Sequence, residues 1–199
     1  RAVRNSRLIP PILDELEMGG CKMDNITILI AYGLHKPAPK SEVEKLLGKT
    51  VVETVNVVNH NAEDESQLTY LGKTSFETNL WVNKLIVEYD LVIGTGLIEP
   101  HFFAGYSGGR KSILPGVAGR ESIFQNHGFK MIDKPNARYG VLDGNPVHED
   151  MVEASTLAGL DYIVNVIVDN GRIVKAFAGD SYKAHKKGVK FLNKMVRVK

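Results

Sequence analysis

The sequence is poor in several things, and each scarcity removes a class. It has one cysteine, Cys21, so an intramolecular disulfide is excluded and a reducing, cytoplasmic setting is expected. No apolar run is long enough to span a bilayer; the longest, such as Asp90 to Ile98, is strand-sized, so no membrane partner is expected. Charge of one sign is lacking too. Twenty-five Lys and Arg against 23 Asp and Glu leave a net charge of +2, which predicts no nucleic-acid footprint. The first residue is Arg1 rather than methionine, and the sequence carries no signal-peptide pattern, so the chain reads as cut from something longer. What is present is ordinary for a globular protein: 199 residues, 43% hydrophobic and 24% charged, enough for a real core and incompatible with disorder.

Strand-like and helix-like blocks alternate. Residues 8–16 read as a helix opened by Pro10 and Pro11 and closed by Gly19-Gly20. Residues 26–31 form a continuous apolar run and read as a buried strand ending at Gly33. Ser41 and Glu44 fit a capping box for a helix ending near Gly48. Strands are expected over 51–58, 67–71, 90–98, 162–168 and 172–177, with 81–87 open between helix and strand. Helices are expected over 120–127, over 145–157 with Asn145 as cap and Pro146 in the first turn, and over 180–195. This alternation predicts an α/β fold, a Rossmann-like layered domain with a mainly parallel sheet and flanking helices. The last nineteen residues carry seven Lys or Arg and no acid. A solvated helix face is the first reading, with an anion-binding patch or a contact to a neighbour as alternatives.

In an α/β sheet, ligands bind beyond the carboxyl ends of strands. Two such ends are unusual here. One is Ala31-Tyr32-Gly33-Leu34-His35-Lys36-Pro37. The other begins at Gly94 and runs through His101 to Ser107-Gly108-Gly109-Arg110-Lys111. Seven of the nineteen glycines lie between Gly94 and Gly119. A phosphate loop of the Walker type needs glycine where Arg110 stands, and a dinucleotide fingerprint needs glycine where Glu99 stands, so both fail. The loop could still cradle an anion, with Gly105, Gly108 and Gly109 admitting close approach and Ser107, Arg110 and Lys111 supplying donors and charge. A plain glycine-rich connection is the alternative. His35 and His101 follow strands, so both could face one crevice as acid and base. His127 ends a helix, and no familiar zinc spacing is present. His60, His148 and His185 sit among polar residues and read as surface positions.

Taken in order, the 31–37 stretch, Pro100-His101, Ser107 to Lys111, Leu114-Pro115-Gly116, Asn126-His127, Asp143 to Pro146 and Ala178-Gly179-Asp180 resemble the lactate racemase family. Those enzymes use the nickel-pincer nucleotide (nickel pyridinium-3,5-bisthiocarboxylic acid mononucleotide). The resemblance runs over nearly the whole chain. It implies that Lys111 holds the cofactor through a thioamide link and that His127 ligates nickel, the other three ligands coming from the pincer. It implies that His35 and His101 are the paired acid–base histidines. Arg1 resembles the arginine of an Asp-x-Thr-Arg motif that anchors anions, with Ala2 where the family often has proline. The implied activity is racemisation or epimerisation of a 2-hydroxy acid by hydride transfer to and from the cofactor. Implied partners are the small acid substrate and the cofactor-maturation proteins. Residues 1–199 would then be an N-terminal cofactor-binding catalytic domain, lacking the start of the chain and a C-terminal domain that closes the site, and inactive alone. Two other classes stay open: a nucleotide- or anion-binding module without catalysis, and a metal hydrolase using His35, His101 and His127 together.

Overall fold

The computed structural model describes Val3 and residues 5–196. Its helices are α1 (Asn5–Met18), α2 (Lys40–Leu47), α3 (Lys49–Thr54), α4 (Leu85–Glu88), α5 (Arg120–Asn126), α6 (Phe129–Ile132), α7 (Pro146–Leu157) and α8 (Ser181–Val196). Its strands are β1 (Thr27–Ile30), β2 (Asn56–Asn59), β3 (Leu68–Lys73), β4 (Asn79–Asn83), β5 (Ile93–Leu97), β6 (Pro100–His101), β7 (Gly105–Tyr106), β8 (Tyr162–Asp169) and β9 (Arg172–Asp180). The α/β class holds, but the sheets are mixed rather than mainly parallel. Strands β1 and β2 pair in parallel, as do β5 and β8, while β8–β9, β3–β4 and β6–β7 are antiparallel. The reason is local. Asn170 and Gly171 both have positive φ, 46° and 73°, the backbone of a two-residue turn that joins adjacent antiparallel strands. A parallel return would have needed a crossover helix.

Three apolar clusters hold these layers. Ile9, Leu13, Val43, Leu47, Val51 and Val55 pack helices α1 to α3 against β1. Leu80, Val82, Ile113, Leu114, Val147, Met151 and Ile163 form the central core. Ile98, Tyr106, Ile167, Val189 and Leu192 join the β5–β8–β9 sheet to α8. Each fully buried side chain of this kind contributes about 1.5–3 kcal/mol.

Several boundaries differ from the sequence reading, for identifiable reasons. Residues 49–54 are helical, with a strand only from Asn56. Leu47, Val51 and Val55 recur every four residues, and tertiary burial on one face outweighs the strand preference of the valines. Pro10 and Pro11 lie inside α1 rather than at its start, so two carbonyls a turn earlier lose their helical partners. Ser41 is not a cap: α2 starts at Lys40 after Pro39, with no side-chain capping bond. Asn145 does cap α7, accepting from Val147 N at 3.1 Å and His148 N at 3.3 Å, with Pro146 in the first turn. Asp180 accepts from Lys183 N at 2.8 Å at the start of α8. The lysines of α8 point to solvent while Ala184, His185, Gly188, Val189 and Leu192 are buried, which is the solvated-face reading.

Candidate active site

The segment bearing Lys111 lies flat on the sheet because two strand positions have no side chain. A Cβ at Gly94 would come within 2.7 Å of Ser112 Oγ, and one at Gly96 within 3.3 Å of Asn165 Nδ2. Residues Gly109–Ser112 form a single turn of 3-10 helix on that face. Asn165, opposite Gly96 on β8, accepts from Gly109 N at 2.6 Å. Gly108 (φ 80°) and Gly109 (φ 56°) adopt backbone that disfavours a side chain, and a Cβ at Gly108 would press on Asn165 Oδ1 at 2.6 Å.

The expected anion cradle looks different at atomic level. Ser107 N donates to Glu99 O at 2.8 Å and Ser107 Oγ to Leu97 O at 2.6 Å, while Gly109 N is engaged by Asn165. These groups therefore shape the turn and bring Lys111 to its place. Arg110 is turned inward, 3% exposed, donating to Ala104 O, Tyr106 O and Gly108 O. Burial lowers its pKa to about 9, so it stays charged at neutral pH, but its charge faces the core.

Lys111, His101 and His127 come together. The Phe103 ring meets His101 edge-on at 4.7 Å between centroids and His127 edge-on at 5.0 Å. The His127 pKa is lowered to about 3, chiefly by burial and further by the charges of Lys111 and His101. Its ring is neutral at physiological pH, and its buried Nδ1 has no hydrogen-bond partner. Ala104 N donates to His101 Nδ1 at 3.3 Å, a long bond that orients the ring. Main-chain bonds hold the His35 turn to the same region: Gly33 N donates to Gly116 O at 2.9 Å, and Gly116 N to Lys111 O at 3.1 Å. His35 itself is exposed. Arg1 lies outside the described residues.

A neutral, buried, unpartnered imidazole nitrogen is a fit donor for a borderline metal such as nickel, and a lysine beside it suits covalent tethering of a group that brings the remaining ligands. Among the described residues, no group of three or more His, Cys, Asp and Glu side chains could hold a metal ion. That argues against one zinc shared by His35, His101 and His127.

Sequence reasoning missed two supports. Phe103 carried no motif signal. Asp150, fully buried on α7, accepts from Thr74 Oγ1, Thr78 Oγ1 and Asn126 Nδ2, each at 2.7 Å. It pins the end of α5, where His127 caps the helix, to the β3–β4 turn. Its signal was present in the helical period, since Val147, Asp150, Met151 and Ala154 share one face. Asp150→Ala removes the acceptor from Thr74 Oγ1 and Thr78 Oγ1 and leaves Asn126 Nδ2 only Val147 O, and is expected to destabilise the fold by about 3 kcal/mol or more; an unchanged urea midpoint would contradict the pinning role. His60, His148 and His185 are buried, 0%, 5% and 2% exposed, correcting the surface reading. His148 and His185 sit on the packed sides of α7 and α8, His185 sharing its helix face with Gly188 and Leu192, and His60 follows β2 with its ring bonded to Ala118 O.

Fold and site together define an α/β domain with a histidine–lysine centre at the ends of its strands. Residues 1–140 match the family model of the lactate racemase N-terminal domain, and the chain belongs to that family. It is similar to the lactate racemase of Thermoanaerobacterium thermosaccharolyticum, 43% identical over 199 residues, covering all of this chain and 46% of that protein. It is 39% identical to the lactate racemase of Lactiplantibacillus plantarum over 194 residues, covering 97% of this chain and 46% of that protein. The solved lactate racemase apoprotein of Thermoanaerobacterium thermosaccharolyticum superposes with a TM-score of 0.94 at 42% identity, over 98% of this chain and 46% of that one. A protein from Thermotoga maritima shares the fold at a TM-score of 0.81 and 22% identity, over 99% of this chain and 53% of that one. The chain thus spans about half the length of the curated relatives it matches. Among the described residues, no helix is long and apolar enough to cross a membrane.

Proposed function

We propose that this chain is the cofactor-binding catalytic domain of a 2-hydroxy acid racemase or epimerase acting on lactate or a related acid. The observation that carries the reading is the buried, unpartnered Nδ1 of His127 in one cluster with Lys111 and His101. Lys111 would tether the nickel-pincer nucleotide and His127 would ligate its nickel. When bound, that cofactor supplies an acceptor for the hydride on the hydroxyl-bearing carbon. The rest falls to this chain's own residues. His101 exchanges the hydroxyl proton on one face of that carbon, through Nε2, since its Nδ1 faces Ala104 N. His35 does so on the other face, its turn held by Gly33 against Gly116. Two bases are needed because inversion exposes both faces in turn. Ser107, Gly108 and Gly109 set the position of Lys111. Arg1 would help anchor an anion. Cofactor-maturation proteins are the partners the reading requires, and a second domain would close the site.

The test uses the full-length protein produced with the maturation proteins and nickel, followed by intact mass and a panel of chiral 2-hydroxy acids. A cofactor adduct on Lys111 and interconversion of lactate enantiomers are expected; a protein without adduct and without turnover would sink the reading. His35→Gln and His101→Gln should each slow racemisation by about 10²–10⁴-fold while keeping the adduct, which separates catalysis from loading. The alternative, an anion-binding module without catalysis, would show nucleotide binding unchanged in these variants and no racemisation in the parent.

A further inference from the structure

A second cluster lies on the inner side of the same turn, away from Lys111. Arg110 uses its terminal nitrogens on three carbonyls and on His185 Nε2 at 3.0 Å. No carboxylate among the described residues pairs with it, and its Nε–H has no partner. The Nδ1 of His148 is likewise buried and unpartnered. The two imidazoles stack with centroids 6.4 Å apart. Arg110, His148 and His185 line one cavity of about 20 Å³, together with Ser155, Ser181 and Tyr182.

The wall of this cavity carries one charge, and that charge is positive. It holds a buried guanidinium, and Ser181 and Tyr182 belong to the first turn of the sixteen-residue helix α8, where the helix dipole favours negative charge. No acid lines it. An uncompensated buried cation is costly, and two buried nitrogens without a partner at one small void, Arg110 Nε and His148 Nδ1, mark room for an occupant. The volume suits one small occupant.

We propose that this cavity binds a single halide-sized anion, chloride, held by Arg110 Nε–H and an imidazole N–H of His148. The anion neutralises the guanidinium that gathers Ala104, Tyr106 and Gly108 beneath Lys111. It does not depend on the racemase reading, since none of these groups belongs to the Lys111–His127 cluster.

Crystals grown in bromide, with data collected at the bromine edge, test it directly. An anomalous peak in the cavity within hydrogen-bond range of Arg110 Nε is expected. A water there, or bromide peaks only at the surface, would overturn the proposal. In solution, the melting midpoint should rise with chloride or bromide relative to methanesulfonate at equal ionic strength. Ser155→Val, which fills the cavity with methyl groups, should remove that difference; an equal rise in this variant would count against the site.

Discussion

Lys111→Ala in the full-length protein, produced with the maturation proteins, is expected to carry no cofactor adduct and to racemise no faster than the uncatalysed reaction. The fold should survive. The bonds that fix residue 111, from its N–H to Gly108 O and from Gly116 N to its carbonyl, are main-chain bonds that alanine keeps. The side chain is only half-buried, so little packing is lost. Lys111→Arg makes the test sharper. It keeps the positive charge beside His127 but replaces the amine with a guanidinium, which stays protonated and does not acylate readily. If Lys111 acts through charge alone, the arginine variant retains activity; if it tethers the cofactor, both variants lose it. An adduct of unchanged mass in Lys111→Ala would remove the covalent role altogether.

A steep loss of stability in mild acid is the second large expectation. His148 and His185 are buried with pKa values lowered to about 2 and about 3, mainly by burial and then by the Arg110 charge. His60 is lowered in the same direction by burial; its Nε2–H donates to Ala118 O at 2.9 Å and its Nδ1 accepts from Asn83 at 3.3 Å. Protonation would cost His60 that second bond. The unfolded chain binds protons on these rings near pH 6.5, whereas the folded chain does not. Stability is therefore flat above about pH 6.5 and falls below it. His148 and His185 each contribute about 2 kcal/mol of loss between pH 7 and pH 5, about 4 kcal/mol together, a large share of a typical domain's stability. Urea unfolding across that range should show the fall, and His148→Gln should flatten it by one ring's worth. A pH-independent urea midpoint would mean that these rings titrate normally.

These histidines show where linear reading fails. His148 stands in Pro-Val-His-Glu-Asp, a polar neighbourhood along the chain, yet α7 turns it to the side of Met151 and Ser155. Burial follows the helical period rather than the immediate neighbours. Arg110 misleads in the same way. Beside Lys111 it reads as a second cation for an anion, but alternate residues of a tight turn face opposite ways, and Arg110 faces the carbonyls of its own loop. The capping of α7 by Asn145 was legible because a cap is a local event, decided within three residues. The sheet pairing was not, because strand partners are chosen across the chain. β5 and β8 are neighbours though more than sixty residues apart.

The sequence by itself determined the class of the fold, most of its helices and the family, because periodicity, local caps and long ordered motifs are written along the chain. It also named Lys111, His101 and His127, which stand in motifs. Only the tertiary structure decided that Phe103 lies between the two imidazoles, that Asp150 pins the helix bearing His127, and that Arg110 points inward to a cavity without an acid. Those facts depend on which side of each element is covered, and coverage is settled by packing between segments far apart in sequence.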